Sequence, residues 1–158
     1  MIRQANLDDL DVLVQGNISL ALETENVRLD PDSIAPGVRA VLEGHQPGRY
    51  YVWEDNGAVT AQLMITFEWS DWRNGTVWWI QSVYVPTSAR RTGSFRRLYE
   101  AVREEARSAG SPGLRLYVDE RNERAQKVYA ALGMNGDHYR VFEEMFDEPP
   151  LADDAAQS

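Results

Sequence analysis

Apolar residues recur along this chain at two spacings, and the change from one to the other lays out its elements. Ile2 to Gln4 reads as a short edge strand. Asn6 or Asp8 can then cap a helix through about Leu22, with Leu10, Leu13, Val14 and Ile18 on one side at helical spacing. The stretch ALETENVRLDP interrupts that pattern. Asp32 or Ser33 can cap a second helix, carried by Val38, Val41 and Leu42 and ended by Gly44. From there the spacing drops to two. RYYVWED and AVTAQLMITFEW are strands joined by Asp55-Asn56-Gly57, a strong hairpin turn. SDWRNG makes a second turn, and VWWIQSVYV returns as a third antiparallel strand.

That third strand is bulky on both sides. Strict alternation points Val77, Trp79, Gln81, Val83 and Val85 one way and Trp78, Ile80, Ser82 and Tyr84 the other, which predicts a central strand covered on both faces. Helical spacing resumes over 94–109, where Phe95, Leu98, Tyr99, Val102 and Ala106 form the buried stripe. GLRLYVD is a further strand. Asn122 then caps a helix with the stripe Ala125, Val128, Tyr129 and Leu132, stopped by Gly133. HYRVFEEMF reads as a last strand. Hairpins followed by strand–helix–strand–helix–strand predict an α/β fold of the α+β kind: a mixed central sheet with antiparallel N-terminal strands and helices on both faces. One domain spans residues 1–146, and the acidic, proline-bearing stretch 147–158 is expected to be a disordered tail.

Composition narrows the chemistry. A chain of 158 residues can bury a proper core without staples. It has no cysteine, so disulfides, thiolate nucleophiles and thiolate metal sites are excluded. Its two histidines, His45 and His138, lie far apart without ligand spacing, and no metal is expected. The N-terminus lacks the apolar core of a signal peptide and no apolar run is long enough to span a bilayer, which places the protein in the cytoplasm with no membrane partner. A formal net charge of -9 argues against nucleic-acid binding, although RRTGSFRR with nearby tryptophans has a basic, aromatic character.

Arginines nevertheless crowd positions 90 to 97 of this acidic chain, at the join between the third strand and the helix that follows. A helix N-terminus offers unpaired N–H groups and a partial positive charge, which together bind phosphate. Gly93 can take a backbone conformation closed to other residues, so Arg90, Arg91, Thr92, Gly93, Ser94 and Phe95 form a candidate phosphate turn. The alternative reading of the arginines is a solvated helix face.

V-Y-V-P-T-S-A-R-R-T-G-S-F resembles the acyl-CoA motif of the GNAT superfamily of N-acyltransferases, Q/R-x-x-G-x-G/A, with Arg90 and Gly93 at the first two specified positions. Phe95 stands at the third in place of Gly or Ala. Its backbone N–H is retained, and its ring falls on the same stripe as Leu98, Tyr99 and Val102. LYVDERNERAQKVYAALGM is similar to the family's next strand and helix, with Asn122, Ala125, Tyr129, Leu132, Gly133 and Met134 at its recurring positions. The resemblance implies acetyl-CoA as cosubstrate, with its pyrophosphate on the turn, its pantetheine arm along Val83, Tyr84 and Val85, and Asn122 and Tyr129 in the cofactor site.

It further implies an N-acetyltransferase in which a primary amine, on a small molecule or a peptide N-terminus, attacks the thioester directly. Tyr129 would protonate the departing thiolate, a role a phenol suits; its other reading is a core tyrosine. With no suitable histidine, the base is sought among carboxylates: Glu68 at the end of a strand, Asp71 in the following turn, or Glu23 and Glu25 in the break that lines the acceptor site of relatives. Trp69 and Trp72 are candidates for an aromatic acceptor pocket. A non-catalytic acyl-CoA-binding regulatory module of the same fold is the alternative, and homodimers are common among relatives.

Overall fold

The computed structural model describes residues 1–147, so of the expected tail only Asp147 lies within the described residues. Five strands form one sheet in the order β1 (Ile2–Gln4), β2 (Arg49–Asp55), β3 (Ala58–Ser70), β4 (Gly75–Tyr84) and β5 (Leu114–Arg115). The first four pair antiparallel, and β5 joins β4 in parallel. The β2–β3 turn is built as expected, with Asn56 and Gly57 both left-handed at φ 49° and 77°, the pair that a two-residue hairpin of this hand requires.

Two helical layers cover the sheet. Helix α1 (Leu10–Glu25) follows a short turn of 3-10 helix that Asn6 caps, its side chain accepting from the Asp8 N–H while Asp9 returns the bond to the Asn6 N–H. Helix α2 (Pro31–Leu42) starts earlier than expected. Asp30 is the cap and Pro31, with no N–H to leave unpaired, takes the first helical position. Leu13, Val14 and Val38 from this pair bury against Tyr50 and Val52 of β2. On the opposite face, helix α3 (Ser94–Ser108) drives Leu98, Tyr99, Val102 and Ala106 into Leu63, Ile65, Trp78 and Ile80. The expected stripe of 94–109 is this contact, with Phe95 packed partly buried at its edge. Helix α4 (Glu123–Ala131) is shallower: its Tyr129 is half-buried, Val128 is exposed, and Leu132 and Met134 just after it reach the core. Among the described residues, no helix is long and apolar enough to cross a membrane.

Three expectations of the strands fail, and each failure shapes the site. The alternation of β4 breaks at Ser82, which sits at φ 52°. Gln62 pairs with Tyr84 and Met64 with Gln81, so Leu63 alone faces both Ser82 and Val83. Such a bulge moves every later side chain to the other face. Val83 and Val85 therefore pack with Trp78 and Ile80 rather than beside Trp79 and Gln81, and Tyr84 turns toward α1, its hydroxyl donating to Glu23 at 3.4 Å.

β5 is also shorter than GLRLYVD suggests. It pairs only through Leu114 with Trp78 and Arg115 with Trp79, after which the two parallel strands part. HYRVFEEMF forms no strand; Tyr139, Val141, Phe142, Met145 and Phe146 are all exposed. The alternation is present in the sequence, but β5 contributes only two paired residues to its end of the sheet, too short a ladder to extend.

Candidate active site

The separation of β4 from β5 opens a cleft of about 840 Å³. Its walls are the last residues of β4, the extended stretch Leu116–Asp119, the C-terminal half of α1 and the starts of α3 and α4. One end reaches the turn after β4. There Pro86 leads into a single 3-10 turn, Arg91 takes a left-handed conformation at φ 66°, and Gly93 does so at φ 83° as the N-cap of α3. No described side chain caps this helix. The first N–H groups of α3, which have no partner inside a helix, thus point out of the turn at the cleft.

The side chains of the turn divide the work. The Thr92 hydroxyl donates to the Ala89 carbonyl at 2.6 Å and lies 2.8 Å from the Ser94 hydroxyl, which in turn meets Thr60 of β3 at 3.2 Å. Ser94 is buried. These two hydroxyls fasten the turn to the sheet, so what Thr92 and Ser94 can offer a ligand is backbone. Arg90, Arg91 and Arg96 line the cleft. Arg90 is fixed in place: its Nε donates to the Val85 carbonyl at 3.0 Å, its far nitrogen pairs with Glu23, and its guanidinium lies 6.0 Å from the Tyr84 ring centre. Arg97 turns away, over the ring of Trp53.

Phe95 lies on the cleft wall, its ring 6.2 Å from that of Tyr99 and 6.1 Å, edge-on, from that of Tyr129. An aromatic at this position therefore packs against the tyrosine of the next helix. Burial pushes the Tyr129 phenol up to about 12, so it holds its proton throughout the neutral range. Asn122 lines the cleft as the cap of α4, its side-chain oxygen accepting from the Ala125 N–H at 3.1 Å. Beside it, two hydrogen bonds from Arg121 hold the Asp119 carboxyl down at about 2.

Among the acceptor candidates, Glu23 and Glu25 line the cleft, whereas Glu68, Trp69, Asp71 and Trp72 do not. The reason is strand direction. Glu68 pairs with Val77 near the start of β4, and the hairpin 71–74 lies beyond it, while the cleft opens at the other end of β4. Glu68 does share a face with Trp79, receiving its indole N–H at 3.0 Å, and it is ion-paired with Arg115 at 2.5 Å. Trp79 in turn lies 5.8 Å, centre to centre, from Tyr117, which is on the cleft wall. Trp69 and Trp72 are exposed at the hairpin.

Sequence reasoning missed Asn17, Gln81, Ser82, Tyr117 and Arg124, all of which line the cleft. For Arg124 there was a signal, an arginine in the first turn of α4 just after Arg121. Asn17 and Gln81 read only as positions within a helix and a strand, and a serine carries no local mark of positive φ.

Comparison with known proteins shows the family. Residues 19–134 match the acetyltransferase (GNAT) family, and the chain belongs to it. Acyl-CoA-dependent acetyl transfer is the family's general chemistry. A possible acetyltransferase from Clostridium difficile 630 is 40% identical, over 94% of this chain and 98% of that one, and superposes with a TM-score of 0.85. A probable acetyltransferase at 22% identity covers 94% and 99% of the two chains with a TM-score of 0.81. A predicted acetyltransferase from Clostridium acetobutylicum, solved with acetyl-CoA, shares the fold at 16% identity, 90% and 95% coverage and a TM-score of 0.71. No curated protein matches the chain.

Proposed function

We propose that this chain transfers an acetyl group from acetyl-CoA to a primary amine by direct attack. The observation that carries the reading is the continuity of the cleft: it runs from the uncapped, arginine-lined start of α3, along the bent end of β4, past Tyr129, to the acidic end of α1. The pyrophosphate sits on the N–H groups of the Arg90–Phe95 turn, with Arg91 and Arg96 supplying charge. The pantetheine arm pairs with the free backbone edge of Val83–Val85, which β5 leaves unpaired. An acetyl-CoA-bound relative of the same fold supports the choice of cosubstrate.

The amine nitrogen attacks the thioester carbonyl carbon, and the negative oxygen that forms is held by a backbone N–H of β4. The C–S bond then breaks, and the CoA sulfur takes the proton of the Tyr129 hydroxyl. The proton released by the amine passes to water at the cleft mouth, where Glu23 and Glu25 lie, and Tyr129 is reprotonated from solvent. A chain without cysteine has no thiol to carry the acetyl group in between, which favours the one-step route.

Tyr129→Phe tests this. The change removes one oxygen and keeps the ring against Phe95. We expect kcat to fall by about 10²-fold or more with acetyl-CoA affinity retained, since the lost proton donor acts only as the C–S bond breaks. Unchanged turnover would remove Tyr129 from the chemistry. Phe95 at the third motif position keeps one rival in view, a non-catalytic acyl-CoA-binding module. Wild-type protein that binds acetyl-CoA yet releases no free CoA with any of a panel of amines would favour that rival.

A further inference from the structure

Behind the bend of β4 lies a buried polar cluster that the reaction does not use. Asn17 of α1, Tyr50 of β2 and Gln62 of β3 are 5%, 4% and 2% exposed. The Asn17 Nδ2 donates to the Tyr50 hydroxyl at 3.1 Å, and Ser82 lies beside the same phenol. Gln62, directly paired with Tyr84 across the bulge, sends its Nε2 to the Leu13 carbonyl at 3.3 Å. Its carboxamide fills a notch that exists because residue 16 is glycine: a Cβ on Gly16 would stand 2.2 Å from the Gln62 Oε1. Three elements are thus tied together by polar contacts at the point where β4 departs from regular geometry. The neighbours of Tyr50 are otherwise apolar, among them Leu13, Val14 and Val52.

Stability alone gives little reason for such a cluster. Buried hydrogen-bonded pairs contribute modestly, and well-packed apolar replacements often do as well or better. What polar pairs do supply is a single allowed arrangement. Ser82 needs one, because a residue with a Cβ is strained when held at positive φ, here 52°, and serine has no special liking for that region. The bend, in turn, decides where the free edge of Val83–Val85 points.

We infer that Asn17, Tyr50 and Gln62 are positioning residues for the acyl arm: they lock the bend at Ser82 so that the backbone edge after it faces the cleft. The inference rests on the reading of Val83–Val85 as the pantetheine edge. Because the brace lies under the bend and away from the α3 turn, its removal weakens the grip on pantetheine and acetyl while leaving the grip on the nucleotide half.

The test is a pair of affinities, for acetyl-CoA and for 3′-phosphoadenosine 5′-diphosphate, which carries the pyrophosphate but no pantetheine. They are measured on the wild type, Tyr50→Phe, Gly16→Ala and the double variant Tyr50→Phe/Ser82→Gly. Gly16→Ala reaches the same brace by expelling the Gln62 side chain, and so serves if Tyr50→Phe folds poorly. We expect the wild type to prefer acetyl-CoA. Either single variant should lose about tenfold of that preference, the worth of one or two hydrogen bonds, with nucleotide affinity within about twofold. The double variant should recover it, since glycine accepts the positive φ without a brace.

Single variants that keep the full preference, that weaken both ligands equally, or that the glycine fails to rescue overturn the inference alone. A wild type that binds neither ligand overturns the acetyl-CoA reading beneath it, and the inference falls with it.

Discussion

Tyr129 and Glu68 show how the same kind of side chain argument ends differently once the surroundings are known. The Tyr129 hydroxyl, raised to about 12 by burial, stays protonated where the assay is run. An acid must be protonated to act, so the raised value extends its working range upward, and no alkaline fall in kcat below about pH 11 should originate from this group. Glu68 is a carboxylate already engaged by Arg115 and the Trp79 indole. Glu68→Gln should leave the acid limb of the pH–kcat profile in place and change the KM for the amine by a few fold, through the Trp79–Tyr117 contact. Loss of that limb in steady-state rates would return Glu68 to the role of base. Arg90, Gly93, Asn122 and Tyr129, all on the cleft, were legible in the sequence, the first three because each belongs to a local turn or helix start and Tyr129 because residues 116–134 resemble a family motif. Glu68 was misplaced because the chain alone shows that it ends a strand, and only antiparallel pairing shows which end of the neighbour it meets.

At the scale of elements, the site is made by two irregularities in otherwise regular pieces. The bulge in β4 turns Val83–Val85, and the left-handed Gly93 starts α3 with its N–H groups toward the cleft. A Cβ at Gly93 would meet nothing nearer than the end of Arg97, at 3.9 Å, so Gly93→Ala isolates the conformational effect. It should cost about 1 kcal/mol in stability and weaken acetyl-CoA binding several-fold, read by chemical denaturation and calorimetry. An unchanged affinity would mean that the turn is not the phosphate site. Helix α3 was predictable almost to the residue, since its apolar stripe and breaker signals agree. The bulge was not, because VWWIQSVYV alternates without interruption and the skip arises only from its pairing with β3.

Across the whole molecule, the helix layer that carries Asn17, Glu23 and Glu25 is anchored to β1 by charge. Arg3 grips both oxygens of Asp9, at 2.7 and 2.8 Å, and also Glu54 at 2.8 Å. The guanidinium lowers the Asp9 carboxyl below its ordinary 3.8. A depressed carboxyl stabilises the fold fully above its unfolded value, and that stabilisation is lost as the pH falls through the folded one. Asp9→Asn should therefore cost about 2 kcal/mol at neutral pH, and the gap to wild type should close as acidification carries the pH down past the ordinary carboxyl value of 3.8 and through the depressed folded one; a gap independent of pH would contradict the assignment. The layers, the hairpins and the parallel β4–β5 pair follow from periodicity. How far β5 runs, and whether a strand follows it, depends on the divergence of the sheet, to which no single segment is a guide.

Thermal unfolding with and without acetyl-CoA tests the central claim most directly. A ligand at 100 times its dissociation constant stabilises the native state by about 2.7 kcal/mol, which for a chain of this length is a rise in Tm of about 5–10 °C. The account predicts that rise with acetyl-CoA, and release of free CoA when an accepted primary amine is added. A Tm that stays flat at millimolar acetyl-CoA would contradict it.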